Sequence, residues 1–420
     1  MLFIYGALPV GGIETFFMRM AKERHRLGLH TSILLLSLPH ESNPELLNEM
    51  KKYANVLFPD DIFLNLGKFT RRLPLLVPVK KRALERILEN VDQIHASDGM
   101  HALVGYRLSN ILNKNIVVTV GFYHYIKFLW GGDNVAWHEK VNRKFIFDFL
   151  PEKSLLFFSE GNRRLYIKHK RKKLTDANTF RLGVIDKKDI KVSGEVKLPI
   201  KIVAIGRLVD FKTYNFYMIK VLKNLKTKGF NVQFDIYGDG PLKAQIADEI
   251  NKAGLSESIH LKGTLDYLKF DETVSNYNLF IGSGTAIIQA AALGLPSIVG
   301  VENVIEAETY GYFSDVNQYE YNLKGLDLEM ISVETIIEDY INMNTQQRKT
   351  LISSHLECID SFTNESCQKS MDELKYITMP AKELKYNRWI YEFSRILDRV
   401  SMRFNKRHPK LTQFEDFKPN

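Results

Sequence analysis

Two basic side chains stand close together in the segment "IGRLVDFK", directly after an apolar run that predicts a β-strand. Arg207 presents a planar fork of N–H donors, and Lys212 presents a compact charge on a flexible stem. A pair of cations on one short loop is suited to binding a diphosphate through charge-assisted hydrogen bonds. Taken alone, the pair is also compatible with solvated surface cations, so the neighbouring loops decide the interpretation.

Glycine-rich turns supply further candidates for anion binding. Gly11 and Gly12 lie in "GGIE", between the first predicted strand and helix, and Gly284 and Thr285 lie where another helix is predicted to begin. Adjacent glycines let backbone amides approach a ligand, and the amides at a helix N-terminus favour an anion. We therefore predict phosphate contacts at these turns, although "GGIE" by itself is equally typical of an ordinary tight turn.

The segment "GSGTAIIQAAALGLPSIVG" (282–300) places one long polar side chain in an otherwise apolar helix. The amide of Gln289 both donates and accepts hydrogen bonds, so it is suited to a ribose hydroxyl. Position 287 is Ile, so the third glycine of the dinucleotide fingerprint is missing, which disfavours NAD. The turn "IYGDGPL" (236–242) is as typical of a structural turn as of a ligand loop.

Alternating strand and helix patterns must position these residues. Apolar runs that predict buried strands alternate with helical periodicity, first from the N-terminus and again after Lys201. This order predicts an α/β fold with two Rossmann-like, doubly wound parallel sheets, whose loops are expected to face each other across a cleft. The predicted domains are residues 1–185, residues 186–375, and a basic amphipathic helical segment, 376–420, that packs back on the first domain.

The composition favours a folded protein with anionic partners. The chain has 420 residues, is 45% hydrophobic and carries a formal net charge of +9. It contains no recognisable motif for binding RNA or DNA, so nucleic acid is not an expected partner.

The two cysteines, Cys358 and Cys367, lack the spacing of metal ligands, so we predict that both are reduced thiols. With no signal-peptide pattern and no apolar run near the ~20 residues that cross a bilayer, we expect a cytoplasmic location.

Taken together, the motifs resemble those of retaining glycosyltransferases of the two-Rossmann-domain (GT-B) type, in particular glycosyltransferase family 4 (group 1). The resemblance covers about residues 1–330 and rests on "GGIETFFMRMAKERHRLG", "VDQIHASD", "GVID", "IGRLVDFK", "IYGDGPLKAQI", "IHLKG" and "GSGTAIIQAAALGLPSIV". The last segment is most similar to members that build bacterial surface polysaccharides, such as O-antigen and capsule.

The resemblance implies donor-site roles for three loops. Arg207 and Lys212 match the cations that neutralise the departing diphosphate. Gly11 and Gly12 match an N-terminal loop over the donor, and the helix start at 284–285 matches the loop that holds phosphate. By the same resemblance, the first domain binds the acceptor and the second binds the nucleotide sugar.

Two side chains of the first domain are further candidates. His124, in "VGFYHYI", matches loosely a cleft histidine that contacts the donor sugar, although a lone histidine is also typical of a structural role. Asp98, in "HASDGMH", would be the natural base beside the acceptor if the enzyme inverts configuration. Its alternative is an N-cap for the helix that follows.

The chain departs from the family at two positions. The family commonly has two glutamates, eight residues apart, where this chain has Ile281 and Gln289. Gln289 can still bond a ribose hydroxyl, but it cannot supply negative charge to a developing sugar cation. A catalytically degenerate relative, and a sugar-nucleotide epimerase or hydrolase of the same fold, therefore stand as alternatives.

The expected reaction is transfer of a sugar from a nucleotide diphosphate to a hydroxyl with retention of configuration. Because Arg and Lys take the place of Mg²⁺ at the diphosphate, no metal or other cofactor is expected.

Two basic segments suggest where the acceptor is bound. Residues 68–87 interleave apolar and basic residues, and residues 163–173 contain seven Lys or Arg and no acid. Such segments suit an anionic membrane surface, with a solvated basic face as the alternative. A glycan or lipid-linked acceptor and a peripheral enzyme at the inner face of the plasma membrane are therefore expected.

Overall fold

The chain divides into two compact units in its computed structural model. Unit 1 comprises Met1–Gly183 and the described residues from Asn364 onward, and unit 2 comprises Val184–Thr363. Strands and helices are numbered in chain order. The structure describes residues 1–411 with the exception of Val10, Tyr125, Arg171, Lys172, Asp189, Lys191, Lys197, Tyr267, Leu268, Glu320 and Lys382.

A twisted parallel sheet forms the centre of unit 1. Its strands in the described part of the chain are β1 (Leu2–Tyr5), β2 (Ser32–Leu35), β3 (Asn55–Leu57), β4 (Gln93–Ala96), β5 (Val117–Phe122), β6 (Leu155–Phe157) and β7 (Asn178–Thr179). The strand order is β3-β2-β1-β4-β5-β6-β7, and neighbouring strands run parallel. The central strands are buried and mostly apolar, as expected where both faces of a sheet are covered, and Gln93, His95 and Thr119 are the buried polar residues of β4 and β5.

Helices cover the two faces of this sheet. In the described residues these are α1 (Gly12–Arg26), α2 (Pro44–Tyr53), α3 (Pro59–Ile62), α4 (Lys68–Arg72), α5 (Lys81–Ile87), α6 (Gly99–Ile111), α7 (Trp137–Lys144), α8 (Glu160–Lys170), α16 (Asn364–Glu373) and α17 (Arg388–Phe404). Successive residues of β1 point to opposite faces. Phe3 packs on Phe17 of α1, with ring centroids 4.8 Å apart, whereas Leu2 and Ile4 join the core beneath α6.

The residues after Asn364 complete unit 1. Cys367 and Met371 of α16 are buried in the same core as Phe3 and Phe17. The predicted boundaries placed residues 364–375 in the second domain, but the structure places them in unit 1 because α16 fills this core.

Helix α17 also packs on unit 1. The buried Tyr391 hydroxyl donates to Asn142 Oδ1 of α7 at 2.7 Å, and the backbone N–H of Leu75 donates to Glu392 Oε1 at 3.2 Å. The C-terminal helical segment therefore returns to the first unit.

Unit 2 is built around a second parallel sheet of order β10-β9-β8-β11-β12, with β13 and β14 forming a separate antiparallel pair. Its strands in the described residues are β8 (Ile200–Ile205), β9 (Val232–Tyr237), β10 (Ile259–Gly263), β11 (Leu279–Gly282), β12 (Ser297–Val299), β13 (Glu308–Thr309) and β14 (Ile331–Ser332). Its helices there are α9 (Tyr214–Thr227), α10 (Lys243–Ala253), α11 (Phe270–Val274), α12 (Thr285–Ala291), α13 (Phe313–Val316), α14 (Val333–Asn342) and α15 (Thr345–Cys358).

The predicted fold class is confirmed: both units are doubly wound α/β structures around parallel sheets, and the C-terminal segment is helical. Short 3₁₀ turns lie at Pro39–Glu41, Glu152–Ser154, Ile359–Phe362 and Leu374–Tyr376, and a π-helical turn lies at Phe145–Phe149. Among the described residues, no helix combines the length and the apolar character needed to span a bilayer.

Candidate functional site

The strand order of unit 2 reverses between β8 and β11, which are direct parallel neighbours. The loops at the carboxyl ends of these strands therefore lie side by side, at the switch point where doubly wound sheets bind ligands. The loop after β8 carries Arg207 and Lys212, and the loop after β11 leads through Gly284 into Thr285 and α12. The structure thus places the loop of Arg207 and Lys212 next to the loop of Gly284 and Thr285.

Lys212 lies over the backbone of its own loop. Its Nζ atom is 2.5 Å from the position that a Cβ atom on Gly206 would occupy, so the ammonium group sits against the first residue after β8. Burial lowers the pKa of Lys212, Glu302 opposes this shift, and Arg207 adds to it. Arg207 itself is exposed. The pair therefore consists of one shielded and one solvent-facing cation.

Glu302 is a site residue that sequence reasoning missed. One of its carboxylate oxygens accepts a hydrogen bond from Ser283 Oγ at 2.9 Å. Burial raises the pKa of Glu302, while the Ser283 hydrogen bond and the charge of Lys212 act to lower it. Lys212, Ser283 and Glu302 form a polar cluster that three different loops contribute. The available signal was weak: an acid placed three residues after the strand "SIV".

Helix α12 begins with a conformation that favours glycine. Gly284 has φ 70°, a left-handed value at which a side chain would be strained. Its N–H donates to Asn322 Oδ1 at 3.1 Å, and its C=O accepts from the Tyr321 hydroxyl at 3.4 Å. An amide oxygen thus occupies the position in which the sequence predicts a phosphate oxygen. Thr285 is exposed at the first position of the helix.

Gln289 lies on the buried side of α12, where its residue is 7% exposed, and Ile281 is fully buried in β11. The amide is therefore held in a largely desolvated position, in which a hydrogen bond to a ligand is stronger than in water. The contact between Gln289 and a ribose hydroxyl stays a prediction.

The turn "IYGDGPL" supports the Arg207 loop through its backbone. A Cβ atom on Gly238 would lie 1.9 Å from the carbonyl oxygen of Gly206, and one on Gly240 would lie 2.3 Å from that of Leu208. The Leu208 N–H donates to the Asp239 carbonyl at 3.0 Å. Of the two interpretations of this turn, the structure therefore supports a structural role: its glycines allow two loops to touch.

Asp98 caps a helix of unit 1. Its carboxylate accepts a hydrogen bond from the His101 backbone N–H at 2.9 Å, and a second contact joins Asp98 Oδ2 to His101 Nδ1 at 3.0 Å. Burial acts to raise the pKa of Asp98, but His101 and Lys127 outweigh it and the pKa is lowered. The N-cap interpretation is thus satisfied by geometry, and the acceptor role stays a prediction.

The other unit 1 candidates lie on neighbouring loops of its sheet. Gly11 is the N-cap of α1, and a Cβ atom there would lie 2.4 Å from Glu14 Oε2, whereas Gly12 has open space around it. The buried Glu14 accepts a hydrogen bond from the Tyr5 hydroxyl at 2.8 Å.

His124 follows β5 and is exposed, and its Nδ1 accepts from the Ile126 N–H at 3.4 Å. Tyr125, in the same quoted segment, lies outside the described residues. The sugar contact expected of His124 stays a prediction.

Part of the basic segment 163–173 is paired with an acid just before it. Arg163 and Arg164 both contact Glu160, at 2.7 and 3.3 Å. Arg171 and Lys172 lie outside the described residues. Because Glu160 neutralises part of its charge, this segment is less strongly cationic than the sequence of residues 163–173 alone indicates.

No group of three or more His, Cys, Asp or Glu side chains in the described part of the chain is arranged to hold a metal ion. The expectation that no metal is required stays a prediction. Cys358 and Cys367 are both free thiols.

Comparisons with known proteins show which family the segment around the site resembles. Residues 186–326, about a third of the chain, match a family model described as "Glycosyl transferases group 1". Protein CapJ of Staphylococcus aureus is 28% identical over an alignment of 168 residues that covers 37% of this chain and 40% of CapJ. The putative glycosyltransferase EpsF of Bacillus subtilis is 27% identical over 101 residues, 23% of this chain and 26% of EpsF. The matched region spans less than half the length of these curated relatives.

Solved structures with a similar fold cover most of the chain. Anabaena Alr3699/HepE in complex with UDP superposes with a TM-score of 0.59 and 14% identity, over 89% of this chain and 98% of that one. The lipopolysaccharide outer core galactosyltransferase WaaB, in its apo form, gives a TM-score of 0.55 and 12% identity over 89% and 99%. Arg207, Lys212, Gln289 and Glu302 all lie inside the segment that matches the group 1 glycosyltransferase model, and the solved structures share the fold of the chain.

Proposed function

We propose that the protein is a glycosyltransferase that moves a sugar from a nucleotide diphosphate to a hydroxyl of a glycan acceptor, with retention of configuration. One observation carries this proposal: the loop that holds Arg207 and Lys212 and the loop that leads into α12 leave adjacent parallel strands at the switch point of unit 2, inside the segment that matches group 1 glycosyltransferases. HepE, a structural neighbour, has been solved with UDP and with UDP-glucose, which supports a nucleotide sugar as the donor here.

In the proposed reaction, the bond between the anomeric carbon and the diphosphate oxygen breaks, and a bond to the acceptor oxygen forms on the same face. The acceptor proton moves to the departing phosphate oxygen, so no protein nucleophile is needed. Charge separates in an oxocarbenium-like transition state. Arg207 and Lys212 would stabilise the negative diphosphate, and a preorganised donor of this kind contributes on the order of 3 kcal/mol.

Glu302 and Asn322 hold the cluster before the donor binds. Lys212 is attracted by the Glu302 carboxylate, and the Gly284 N–H donates to Asn322 Oδ1. Both proposed phosphate contacts therefore already face an oxygen acceptor. A diphosphate would replace these acceptors with phosphate oxygens that carry more negative charge. Gln289 is proposed to contact the ribose, and Gly11, Gly12 and His124 are proposed donor contacts, as the sequence resemblance implies.

The acceptor is proposed to be lipid-linked, as in the surface-polysaccharide assembly that the sequence resemblance implies, with Asp98 near it. The enzyme would then work from the cytoplasm at the inner face of the plasma membrane. Helix α4 and its flanks, within residues 68–87, present an exposed Phe69 among Lys and Arg residues, which supports an anionic surface as a partner.

The test is transfer from a panel of nucleotide sugars to lipid-linked and free glycan acceptors, with product configuration read from the anomeric proton by NMR. Arg207→Ala and Lys212→Ala are expected to lower kcat/KM by a hundredfold or more, on the order of 10². Lys252→Ala, which removes an exposed lysine paired with Glu249 on α10, serves as the matched control and is expected to keep full activity.

Three results would each contradict a part of the proposal. Unchanged turnover in both site variants would remove the donor-site assignment. Epimerised or hydrolysed nucleotide sugar in the absence of any acceptor would instead favour the epimerase or hydrolase alternative. Loss of transfer after EDTA treatment, restored by a divalent ion, would contradict the expected independence from metal.

A further inference from the structure

Helix α17 exposes an apolar stripe along one face. Trp389 is 73% exposed, Phe393 63% and Phe404 85%, and Leu397 and Val400 between them are also exposed. These positions recur every three to four residues, so their side chains lie on the same side of the helix. Exposed apolar residues that occur singly are ordinary, whereas a contiguous stripe indicates an interaction site.

The opposite face of α17 is fixed by buried polar contacts. Tyr391 is fully buried and bonds Asn142, and Asp398 contacts His408 Nε2 at 3.1 Å. Glu392, also buried, pairs with Arg395 at 2.7 Å. Three contacts join this face to other elements: Tyr391 bonds Asn142, Glu392 accepts from the Leu75 N–H at 3.2 Å, and Ser394 Oγ accepts from the His138 N–H at 3.1 Å. The apolar stripe therefore points away from the packed face and lies on the surface of unit 1.

The charge around the stripe has one sign. In the described residues, the carboxylates of α17 are Glu392 and Asp398, and both lie on the packed face. The exposed charges of the helix and the residues just after it are all positive: Arg388, Arg399, Arg403, Lys406, Arg407 and Lys410. An apolar stripe accompanied by cations matches the chemistry of an anionic lipid surface, with acyl chains beneath a layer of phosphates.

A second exposed apolar group lies next to this helix. The Arg395 guanidinium donates to the carbonyl oxygen of Arg72, at the end of α4, and Leu64, Leu66 and Phe69 precede that point as exposed side chains. This contact makes α17 and the end of α4 neighbours in unit 1, and both α17 and the segment 64–69 expose apolar side chains. We call these two parts together the α17 surface.

We propose that the α17 surface docks flat on an anionic phospholipid bilayer, with Trp389 and Phe393 inserted below the headgroups and the cations against the lipid phosphates. The inference deepens the proposed function, on which it rests, by naming the surface that would bring the enzyme to a lipid-linked acceptor. A second copy of the chain fits less well, because a two-fold contact through this face would oppose cations with cations.

The test is flotation of the full chain, without donor or acceptor, with vesicles of phosphatidylcholine mixed with phosphatidylglycerol. The wild-type chain should bind, and Trp389→Glu and Phe393→Glu should each weaken binding at least about tenfold, from the lost burial of an aromatic side chain. Arg399→Gln and Arg403→Gln should each weaken it about fivefold, and binding should fall at high salt. Ile305→Glu, an equal charge change at an 81% exposed position of unit 2, is the matched control.

Fluorescence separates insertion from simple adhesion. Of the three tryptophans, Trp130 is buried and Trp389 is the most exposed, so vesicles should shift the emission of the wild-type chain to shorter wavelength but not that of Trp389→Phe. The proposal is overturned if neutral vesicles bind as tightly as anionic ones, or if Phe393→Glu leaves binding unchanged. It is also overturned if the chain is a dimer that Phe393→Glu dissociates while vesicles remain unbound. Because no sugar transfer is measured, these failures leave the proposed reaction untouched.

Discussion

Lys212 is placed between a partner that supports its charge and a neighbour that opposes it. Burial lowers the pKa of Lys212, Glu302 counteracts this effect, and Arg207 reinforces it. Glu302 therefore has two opposite effects on diphosphate binding by Lys212. It keeps the ammonium group charged at higher pH, and it attracts the same group away from an incoming diphosphate.

The variant Glu302→Gln separates these two effects. Its amide oxygen can still accept the hydrogen bond from Ser283, so the protein should fold normally. At neutral pH, transfer should change by less than about fivefold, since a partly exposed charge pair is worth at most about 1 kcal/mol. The alkaline limb of kcat/KM should move to lower pH, because without Glu302 the pKa of Lys212 is lowered further.

The pH profile of kcat/KM for the donor is the measurement. Glu306→Gln, which changes a nearby exposed carboxylate outside the cluster, is the control and should leave the profile unchanged. An unchanged alkaline limb in Glu302→Gln would mean that Glu302 does not act on Lys212.

At the scale of elements, the alternation of apolar strands and amphipathic helices was sufficient to predict both parallel sheets and the loops after β8 and β11. The same alternation did not identify Glu302 or Asn322 as site residues. Neither lies in a motif, and each reaches the site only through the path of the chain after β12. Nor does a sequence reveal that the glycines after β9 are required by the backbone of another loop. Periodicity likewise identified the amphipathic character of α17 but not which of its faces is covered.

The contact between the loops after β8 and β9 predicts the behaviour of Gly238→Ala. A Cβ atom there would lie 1.9 Å from a backbone oxygen, and φ is 151°, so the loops must separate, at a cost of about 2–4 kcal/mol. Gly254→Ala is the matched control: φ is 70° but the space is open, so it should cost only about 1–2 kcal/mol.

Urea denaturation of the full-length variants, followed by circular dichroism, measures both changes. Equal destabilisation by Gly238→Ala and Gly254→Ala would contradict the steric explanation. If Gly238→Ala also weakens the binding of nucleotide diphosphate, the support that this turn gives to the Arg207 loop is established independently.

At the scale of the whole molecule, unit 1 is assembled from the two ends of the chain. Arg24, which is 5% exposed, contacts Asp372 of α16 at 2.7 Å, and this ion pair joins the two parts of the unit. Removing one charge leaves a shielded guanidinium without its carboxylate, so its cost should exceed that of an exposed pair.

Asp372→Asn is therefore expected to lower the free energy of unfolding by about 1–3 kcal/mol, less than for a fully buried pair because Asp372 is partly exposed. Glu49→Gln, which removes the partly exposed partner of the exposed Lys52 in the same unit, should cost less than Asp372→Asn. Thermal unfolding of both variants measures the difference. Equal costs would show that the ion pair does not hold the two parts together.

The return of α16 to unit 1 also sets the order in which the protein is completed during synthesis. The ribosome makes residues 1–183 first, but the helix that covers Phe3 and Phe17 begins only at Asn364. At about 5–20 residues per second, the 180 residues between Gly183 and Asn364 (363 − 183) take roughly 10–40 s to translate. During that interval the aromatic surface around Phe3 and Phe17 on the nascent first unit is not yet covered by α16. We therefore expect this surface to be open to chaperone binding and to aggregation until α16 packs on it.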